Sequence, residues 1–475
     1  MEGPKMRIVM KFGGAALKDA NGIDQVANVT KAFVDKKHEI VIVVSALSGV
    51  TDSLVEMMKH ITSSRKNWID STIDQLASTH IGAVQSIRDQ RLASQAIKTV
   101  RAQLDDLKNV ALGMSHVGEM TPRSKDLLLS FGERMSAPIV ASAIEAREIR
   151  TKPITGGEAG ILTDENFGGA EPLMNVTSMQ VKQNLEPLMA DGIMPVIAGF
   201  IGVTQKGIMT TLGRGGSDYT AAIIGLSLKA DELWFWKDVP GIMTADPSLC
   251  KDSRLINRIA FDEAIEIAHF GARVIHPRAL EVGLESDLVY RIKSAWKPDD
   301  EGTLIVRSNV TKPEHGGVKA ISVIDKVHLI NISGARLVGT PRVAARVLEL
   351  LANEDIDVLM ISQSSSEANM SIAVPEADAE EAMNALELSL LGSKLVREIT
   401  GEGGYCIVAV VGRGMRGTPG VAAKVFKSMA DRKINIRTIA QGSSELNISF
   451  MVSMKDEKAA VQALHDDFKL SSNSN

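Results

Sequence analysis

A tandem duplication constrains this chain more than any other feature. Gly339-Thr340-Pro341-Arg342-Val343-Ala344-Ala345-Arg346-Val347 returns as Gly417-Thr418-Pro419-Gly420-Val421-Ala422-Ala423-Lys424-Val425. The register then holds without a gap. Ile361, Gln363, Ser365, Ser366, Glu367, Asn369 and Ser371 match Ile439, Gln441, Ser443, Ser444, Glu445, Asn447 and Ser449. Each copy reads strand, loop, helix, strand, strand, helix, so the last third holds two like modules. A module of this size buries little apolar surface alone, which predicts pairing with its sister or with another chain. The duplication also disposes of a decoy. Gly412-Arg413-Gly414-Met415-Arg416-Gly417 fits a dinucleotide fingerprint, but the matching Gly334-Ala335-Arg336-Leu337-Val338-Gly339 lacks the middle glycine. Too little chain follows Gly417 for a dinucleotide fold.

The first two thirds follow a different grammar. Met6 to Phe12 reads as a strand running into Gly13-Gly14, followed by a helix from about 22 to 36. Glu39 to Val44 is a second strand, apolar throughout its centre, as in a parallel sheet buried on both faces. It empties into Ser45-Ala46-Leu47-Ser48-Gly49-Val50-Thr51, and a helix is expected from near Asp52. Residues 54 to about 112 read as helical cover throughout, Met114 to Pro122 as a loop, and Ser124 to Ala146 as a helix carrying Glu133. Met194 to Gly202 reads as one buried strand and Glu232 to Trp236 as another. Helices near 262–270 and 277–283 and strands near 288–294 and 303–306 complete the domain, and the polar link Ser308 to Gly317 marks its boundary. Strand, small-residue loop and helix in alternation predict an α/β fold with ligands at the carboxyl ends of the strands.

One loop is built for an anion. Thr210-Thr211-Leu212 runs into Gly213-Arg214-Gly215-Gly216, and Ser217-Asp218 open an apolar helix through Leu226. Glycines let the backbone turn tightly and approach a ligand, and the N–H groups of a helix start favour negative charge. Ser217 and Asp218 stand where capping residues stand. Arg214 offers a planar fork for a carboxylate or phosphate. Lys11 beside Gly13-Gly14 is suited to a migrating phosphoryl group. There is no GxxxxGK[ST] loop, no HExxH, no CxxC and no evident Ser or Cys triad. If the acceptor is a carboxylate, it is already ionised at neutral pH and needs positioning and charge neutralisation rather than a general base.

Composition narrows the class further. A chain of 475 residues calls for two or three domains. A net charge of -5 and 4% aromatic residues argue against a nucleic-acid surface. The apolar runs read as strand-length, which argues against a membrane partner. Cys250 and Cys406, without pairing motifs, suggest a reducing compartment, and a cytoplasmic location is the expectation.

KFGG at 11–14, SALSGVT at 45–51, FGERMSA at 131–137, TLGRGGSDYTAA at 211–222, DVPGIMTADP at 238–247 and FGARVIHP at 270–277 resemble the motif set of the aspartate kinases. The doubled GTPxVAA unit is similar to the paired ACT domains of that family. The resemblance implies an αβα sandwich with a mainly parallel sheet, the amino-acid kinase fold, over residues 1–308. Two ferredoxin-like ACT domains are implied over 318–400 and 401–475. It implies transfer of the ATP γ-phosphoryl group to the side-chain carboxylate of L-aspartate, giving 4-phospho-L-aspartate, the first step toward lysine, threonine and methionine. Mg²⁺ would be held mainly through the phosphates.

Roles carry over from the family residue by residue. Lys11 and Asp218 are the implied catalytic pair. Arg214 would hold the substrate α-carboxylate and Glu133 its ammonium, with Thr51 and Ser217 in contact. Gly13, Gly14, Ser45, Gly215 and Gly216 would line the phosphates. Lys237, Asp238, Met243 and Arg273 would complete the nucleotide site. Gly339, Thr340, Gln363, Asn369, Gln441 and Asn447 are the implied contacts for a lysine or threonine effector, though such Gln and Asn side chains also serve to satisfy buried backbone groups. A homodimer or larger assembly through the ACT domains is expected. The chain departs from the family at Ala15-Ala16 in place of Thr-Ser, Lys237 in place of Thr, Met243 in place of Tyr, and Arg273 in place of Lys. A phosphotransferase of the same fold with another acceptor, or a catalytically weak amino-acid sensor, are the alternatives.

Overall fold

Alternation along the opening strand decides which side of the first sheet carries chemistry. In Arg7–Phe12, Ile8, Met10 and Phe12 enter an apolar cluster with Ile40, Ile42, Val44, Trp234 and Trp236. That cluster is covered by the helices Ala20–Asp35, Val50–Ile61, Lys66–Val84, Gln90–Val117 and Pro122–Glu145. Successive side chains in a strand point to opposite faces, so Val9 and Lys11 face the other way. There the helix Gly216–Ser227 packs on the opening strand.

The computed structural model describes residues 5–61, 66–271, 274–307, 317–334, 341–363, 369–391 and 396–471. The chain divides into two compact units. The first comprises Met1–Ile242, Asn257–Phe261 and Val274–Asn309. Its main sheet has eight strands, in the order Thr151–Thr155, Met194–Ala198, Glu39–Val44, Arg7–Phe12, Glu232–Lys237, Val289–Ser294, Thr303–Val306 and Arg258–Ala260. Neighbours run parallel except Val289–Ser294 with Thr303–Val306, which gives the mainly parallel sheet expected from the buried strands, in the αβα sandwich that the resemblance implied. The helix Pro122–Glu145 has the length and apolarity to cross a membrane, but 72% of its most apolar window is buried inside the protein, as befits a core helix.

Local punctuation moved several expected boundaries. The cover at 54–112 is three helices, not one run, because Asp89 accepts from the N–H groups of Arg91 and Leu92 and starts a new helix. That helix runs through the expected loop at Met114 and stops at Val117, where Gly118 turns left-handed (φ 74°). Met194 to Gly202 is likewise not one strand. Phe200 (φ 68°) turns the chain, and Ile201–Thr204 leaves for a small sheet with Leu162–Thr163 and Met209–Thr211. Gly199 makes the turn possible: a Cβ there would lie 2.9 Å from that of Ser217.

The second unit comprises Met243–Ile256, Asp262–Arg273 and Val310–Asn475, a different partition from the contiguous 1–308, 318–400 and 401–475. The duplicated modules share one six-stranded antiparallel sheet. The long strands Ala320–Ser333 and Glu398–Val411 pair with each other along their length and join the two modules. Each then pairs over about half its length with its own module, through Asn369–Pro375 and Asn447–Ser453. Pairing with the sister copy, one of the two expected outcomes, is thus realised within the chain. Both copies meet the two inserted segments: in the first, the Ile321 N–H donates to the Thr244 carbonyl at 2.8 Å and Phe270 packs near Val327 and Leu329, and the second adds side-chain contacts. Thr244 Oγ1 meets His465 Nε2 at 3.0 Å, the Arg413 N–H donates to Glu263 at 2.9 Å, and Asn447 Nδ2 donates to Glu266 at 2.6 Å.

Candidate active site

Lys11 is the next-to-last residue of the opening strand and is only 4% exposed. Its ammonium meets Asp218 Oδ1 at 2.5 Å. The other carboxylate oxygen of Asp218 faces Lys237 Nζ at 3.6 Å and accepts from the His276 N–H at 3.3 Å. Burial pushes the Asp218 carboxyl up, but the ammonium groups of Lys11 and Lys237 overcome this and hold it at about 2. Asp218 is therefore an anion throughout the physiological range, and an opening strand and a distant helix tip are fastened by one buried ion pair.

The helix carrying Asp218 starts differently from the expected capping arrangement. Gly215 takes the left-handed conformation (φ 67°) and no side chain caps the helix. Ser217 and Asp218 lie in its first turn, and the buried partners Glu133 and Lys11 claim their side chains. The helix start is thereby left open to a ligand anion. Gly215 is required for two reasons. Its φ disfavours other residues, and a Cβ would fall 2.1 Å from the His276 ring.

Glu133 enters from the core helix Pro122–Glu145. Gly132 lets that helix come close, since a Cβ there would lie 2.9 Å from the Ala46 Cβ. The Ser217 hydroxyl donates to Glu133 Oε1 at 3.4 Å. Burial pushes the Glu133 carboxyl up to about 7, against the pull of the Ala46 N–H, the Ser217 hydroxyl and Lys11.

These groups close on one cavity of about 550 Å³. Lys11, Gly14, Ser45, Thr51, Glu133, Arg214, Gly215, Gly216, Ser217 and Asp218 all line it, drawn from four separate stretches of chain. Ala15, where the family has a hydroxyl, lines it too. Gly13 lies behind Lys11, its missing Cβ 3.5 Å from the ammonium. Lys237 adjoins Asp218 without lining the cavity. Asp238 is exposed, Met243 lies in the second unit bridged to Leu255, and Arg273 falls outside the described residues. Among the described residues no cluster of His, Cys, Asp and Glu could hold a metal ion.

The implied effector contacts divide as well. Gly339 and Thr340 lie outside the described residues. Gln363, Asn369 and Gln441 are exposed, whereas Asn447 is buried and bonded to Glu266.

Sequence reasoning missed two supports of this cavity. Asp126 is fully buried and accepts from the N–H groups of Gly168 and Thr211 and from the Thr211 hydroxyl. It clamps two cavity-lining residues, and its position seven residues before Glu133, on the same helix face, was the available signal. His276 gives its backbone N–H to Asp218 and its ring to the space over Gly215. No local pattern marks that contact.

Residues 6–294 match the amino acid kinase family, and 330–390 and 408–468 match an ACT domain. The aspartokinase of Geobacillus stearothermophilus is 31% identical over 98% of the chain and 97% of the relative. The chloroplastic bifunctional aspartokinase/homoserine dehydrogenase of Daucus carota is 29% identical over 98% of the chain, which spans about half (51%) of that relative's length. E. coli aspartokinase III in complex with aspartate and ADP, in its R-state, is similar at a TM-score of 0.80 and 27% identity, covering 97% of this chain and 99% of that one. The same enzyme with lysine and aspartate, in its T-state, gives a TM-score of 0.79 at 28% identity over the same shares of the two chains.

Proposed function

The chain belongs to the amino acid kinase family, as a kinase of the aspartokinase type with paired ACT domains, and on that premise we propose that it phosphorylates the side-chain carboxylate of L-aspartate with ATP. The observation that carries this reading is a buried lysine–carboxylate pair at one end of a cavity that also holds Glu133 and Arg214. A zwitterionic acceptor needs an anion for its ammonium and a cation for its α-carboxylate, and Glu133 and Arg214 supply them. Thr51 and Ser217 complete the acceptor side. The distal carboxylate then attacks the γ-phosphorus in line, with no proton to remove.

Lys11 neutralises charge on the migrating phosphoryl group, and Asp218 fixes the lysine. An ammonium about 4 Å from a unit charge is worth roughly 4 kcal/mol at an effective dielectric near 20, or about a thousandfold in rate if gained only in the transition state. Gly13, Gly14, Ser45, Gly215 and Gly216 would follow the phosphates, and Asp238 the nucleoside side. Mg²⁺ suits a site whose described residues offer no carboxylate cluster only if the phosphates carry it, and there it would neutralise phosphate charge.

The ACT pair supports feedback control by an end-product amino acid. Lysine is bound by a similar aspartokinase, and lysine or threonine is the effector proposed here. Gln363, Asn369 and Gln441, with Gly339 and Thr340, are the contacts proposed for it; Asn447 acts through Glu266 instead. Assembly through the ACT modules, a cytoplasmic setting and a place at the head of lysine, threonine and methionine synthesis complete the reading. The test is trapping of the acyl phosphate with hydroxylamine in the presence of Mg-ATP. Hydroxamate is expected with L-aspartate and not with L-glutamate. Product with another acceptor alone, or with none, would replace aspartate by that acceptor or by a sensing role.

A further inference from the structure

Two lysines share one carboxylate at the centre of the first unit. Lys11 holds Asp218 Oδ1, Lys237 faces Oδ2, and the side chains of the three are 6%, 15% and 9% exposed for Lys11, Lys237 and Asp218. Asp238, the next residue, also acts on Lys237 but is exposed. Lys293, on the adjoining strand, points to the opposite sheet face and lies over the Trp234 and Trp236 rings. Asp218 thus serves two ammonium groups, and Glu133, the other carboxylate near Lys11, is pushed up by burial to about 7 and only partly ionised at neutral pH, so these groups together carry positive charge in excess. An excess buried charge is costly unless an anion arrives to pair with it. Its place indicates which anion. Lys11 lines the acceptor cavity, whereas Lys237 stands on the other oxygen of Asp218, outside that cavity and at the end of the strand Glu232–Lys237.

We propose, resting on the kinase reading above, that Lys237 is the cation for the leaving diphosphate, held by Asp218 on the side opposite the acceptor. In the transfer, a carboxylate oxygen of the acceptor forms the new bond to the γ-phosphorus. The bond from that phosphorus to the bridging oxygen breaks, and its electron pair stays on the β-phosphate of ADP. No proton changes hands, and the total charge of the reactants equals that of the products. Lys11 covers the migrating group, and Lys237 covers the oxygen on which charge accumulates. The state of Lys237 before nucleotide arrives fits this role. Burial pushes its ammonium down to about 8, with Lys11 adding to the depression and Asp218 opposing it. A diphosphate drawn to Lys237 would keep it charged above pH 8 as well.

Calorimetry of ADP binding to the full-length protein tests this, with Lys237→Met and Lys237→Arg alongside the wild type. At pH 7, Lys237→Met should weaken ADP about tenfold, and Lys237→Arg should restore most of the loss. In the hydroxamate assay Lys237→Met should lower kcat about a hundredfold while KM for the acceptor stays within about twofold, a split that general misfolding would not produce. A second measurement needs no variant. Near pH 8, ADP binding to the wild type should take up a fraction of a proton, read from buffers of different ionisation enthalpy, and its affinity should fall above pH 8. Wild-type-like ADP affinity in Lys237→Met, or binding without proton uptake, overturns the proposal. If Lys237 governs ADP binding but no aspartyl hydroxamate forms, the acceptor assignment fails and this one stands.

Discussion

The cavity of the first unit and the duplicated modules of the second distribute their work in opposite ways. In the cavity, single side chains from distant stretches each hold one irreplaceable place: Lys11 and Asp218 form one buried pair, and Asp126 alone satisfies three donors. In the modules the same motif occurs twice, and the copies have parted through environment rather than sequence. Ile361 and Ile439, at matched positions, are comparably exposed at 42% and 45%. Asn369 is exposed, yet its counterpart Asn447 is buried on Glu266 of an inserted segment. Duplication supplies two chances to satisfy one role, and the second copy reaches the segments 243–256 and 262–273 through side chains, whereas the first meets them through the Ile321 N–H on the Thr244 carbonyl and through packing around Phe270. A site made of singular contacts should break at one residue, and a duplicated one should yield by degrees.

The sharpest break is expected at Lys11. Lys11→Ala should lower kcat by at least about a hundredfold in the hydroxamate assay. The melting temperature should hold, because Asp218 keeps Lys237 and the His276 N–H as partners. An unchanged rate would remove Lys11 from the chemistry. Next comes Asp126→Ala, which orphans the buried N–H and hydroxyl of Thr211 and releases the N–H of the exposed Gly168. A loss of about 3 kcal/mol in urea unfolding is expected, and a loss below about 1 kcal/mol would show that water replaces the clamp.

Glu133 ties pH to both binding and stability. With a carboxyl near 7 it is protonated below that pH and cannot receive the substrate ammonium. KM for aspartate should therefore rise about tenfold per unit as pH falls below 7. The stability effect has the opposite sense. The folded group binds its proton more tightly than an ordinary glutamate, so its contribution is full below about 4.5 and is lost as pH rises through about 7. Glu133→Gln should accordingly melt above the wild type at pH 8 while losing aspartate, and the gap should close below pH 5. A flat KM profile between pH 6 and 8 would contradict the assignment.

The smallest effect separates the two copies. Asn447→Ala should cost about 1–2 kcal/mol by leaving the Glu266 carboxylate short of a donor. Asn369→Ala, at an exposed position, should shift the unfolding midpoint by less than about 0.5 kcal/mol. Equal shifts would mean that the copies have not diverged.

Much of this molecule is written locally. The strand Glu39–Val44, the glycine turn at 213–216 and the ungapped repeat were legible because periodicity, positive φ and duplication act over a few residues. The sequence by itself therefore determined two folding grammars in one chain and the strand ends at which chemistry could gather. It did not reveal that Ser217 and Asp218 forgo capping, that Asp126 supports the cavity, or that Lys237 joins Lys11 on one carboxylate. Those outcomes depend on desolvation and on charges contributed from far along the chain, and only the tertiary structure brings such groups within reach of one another.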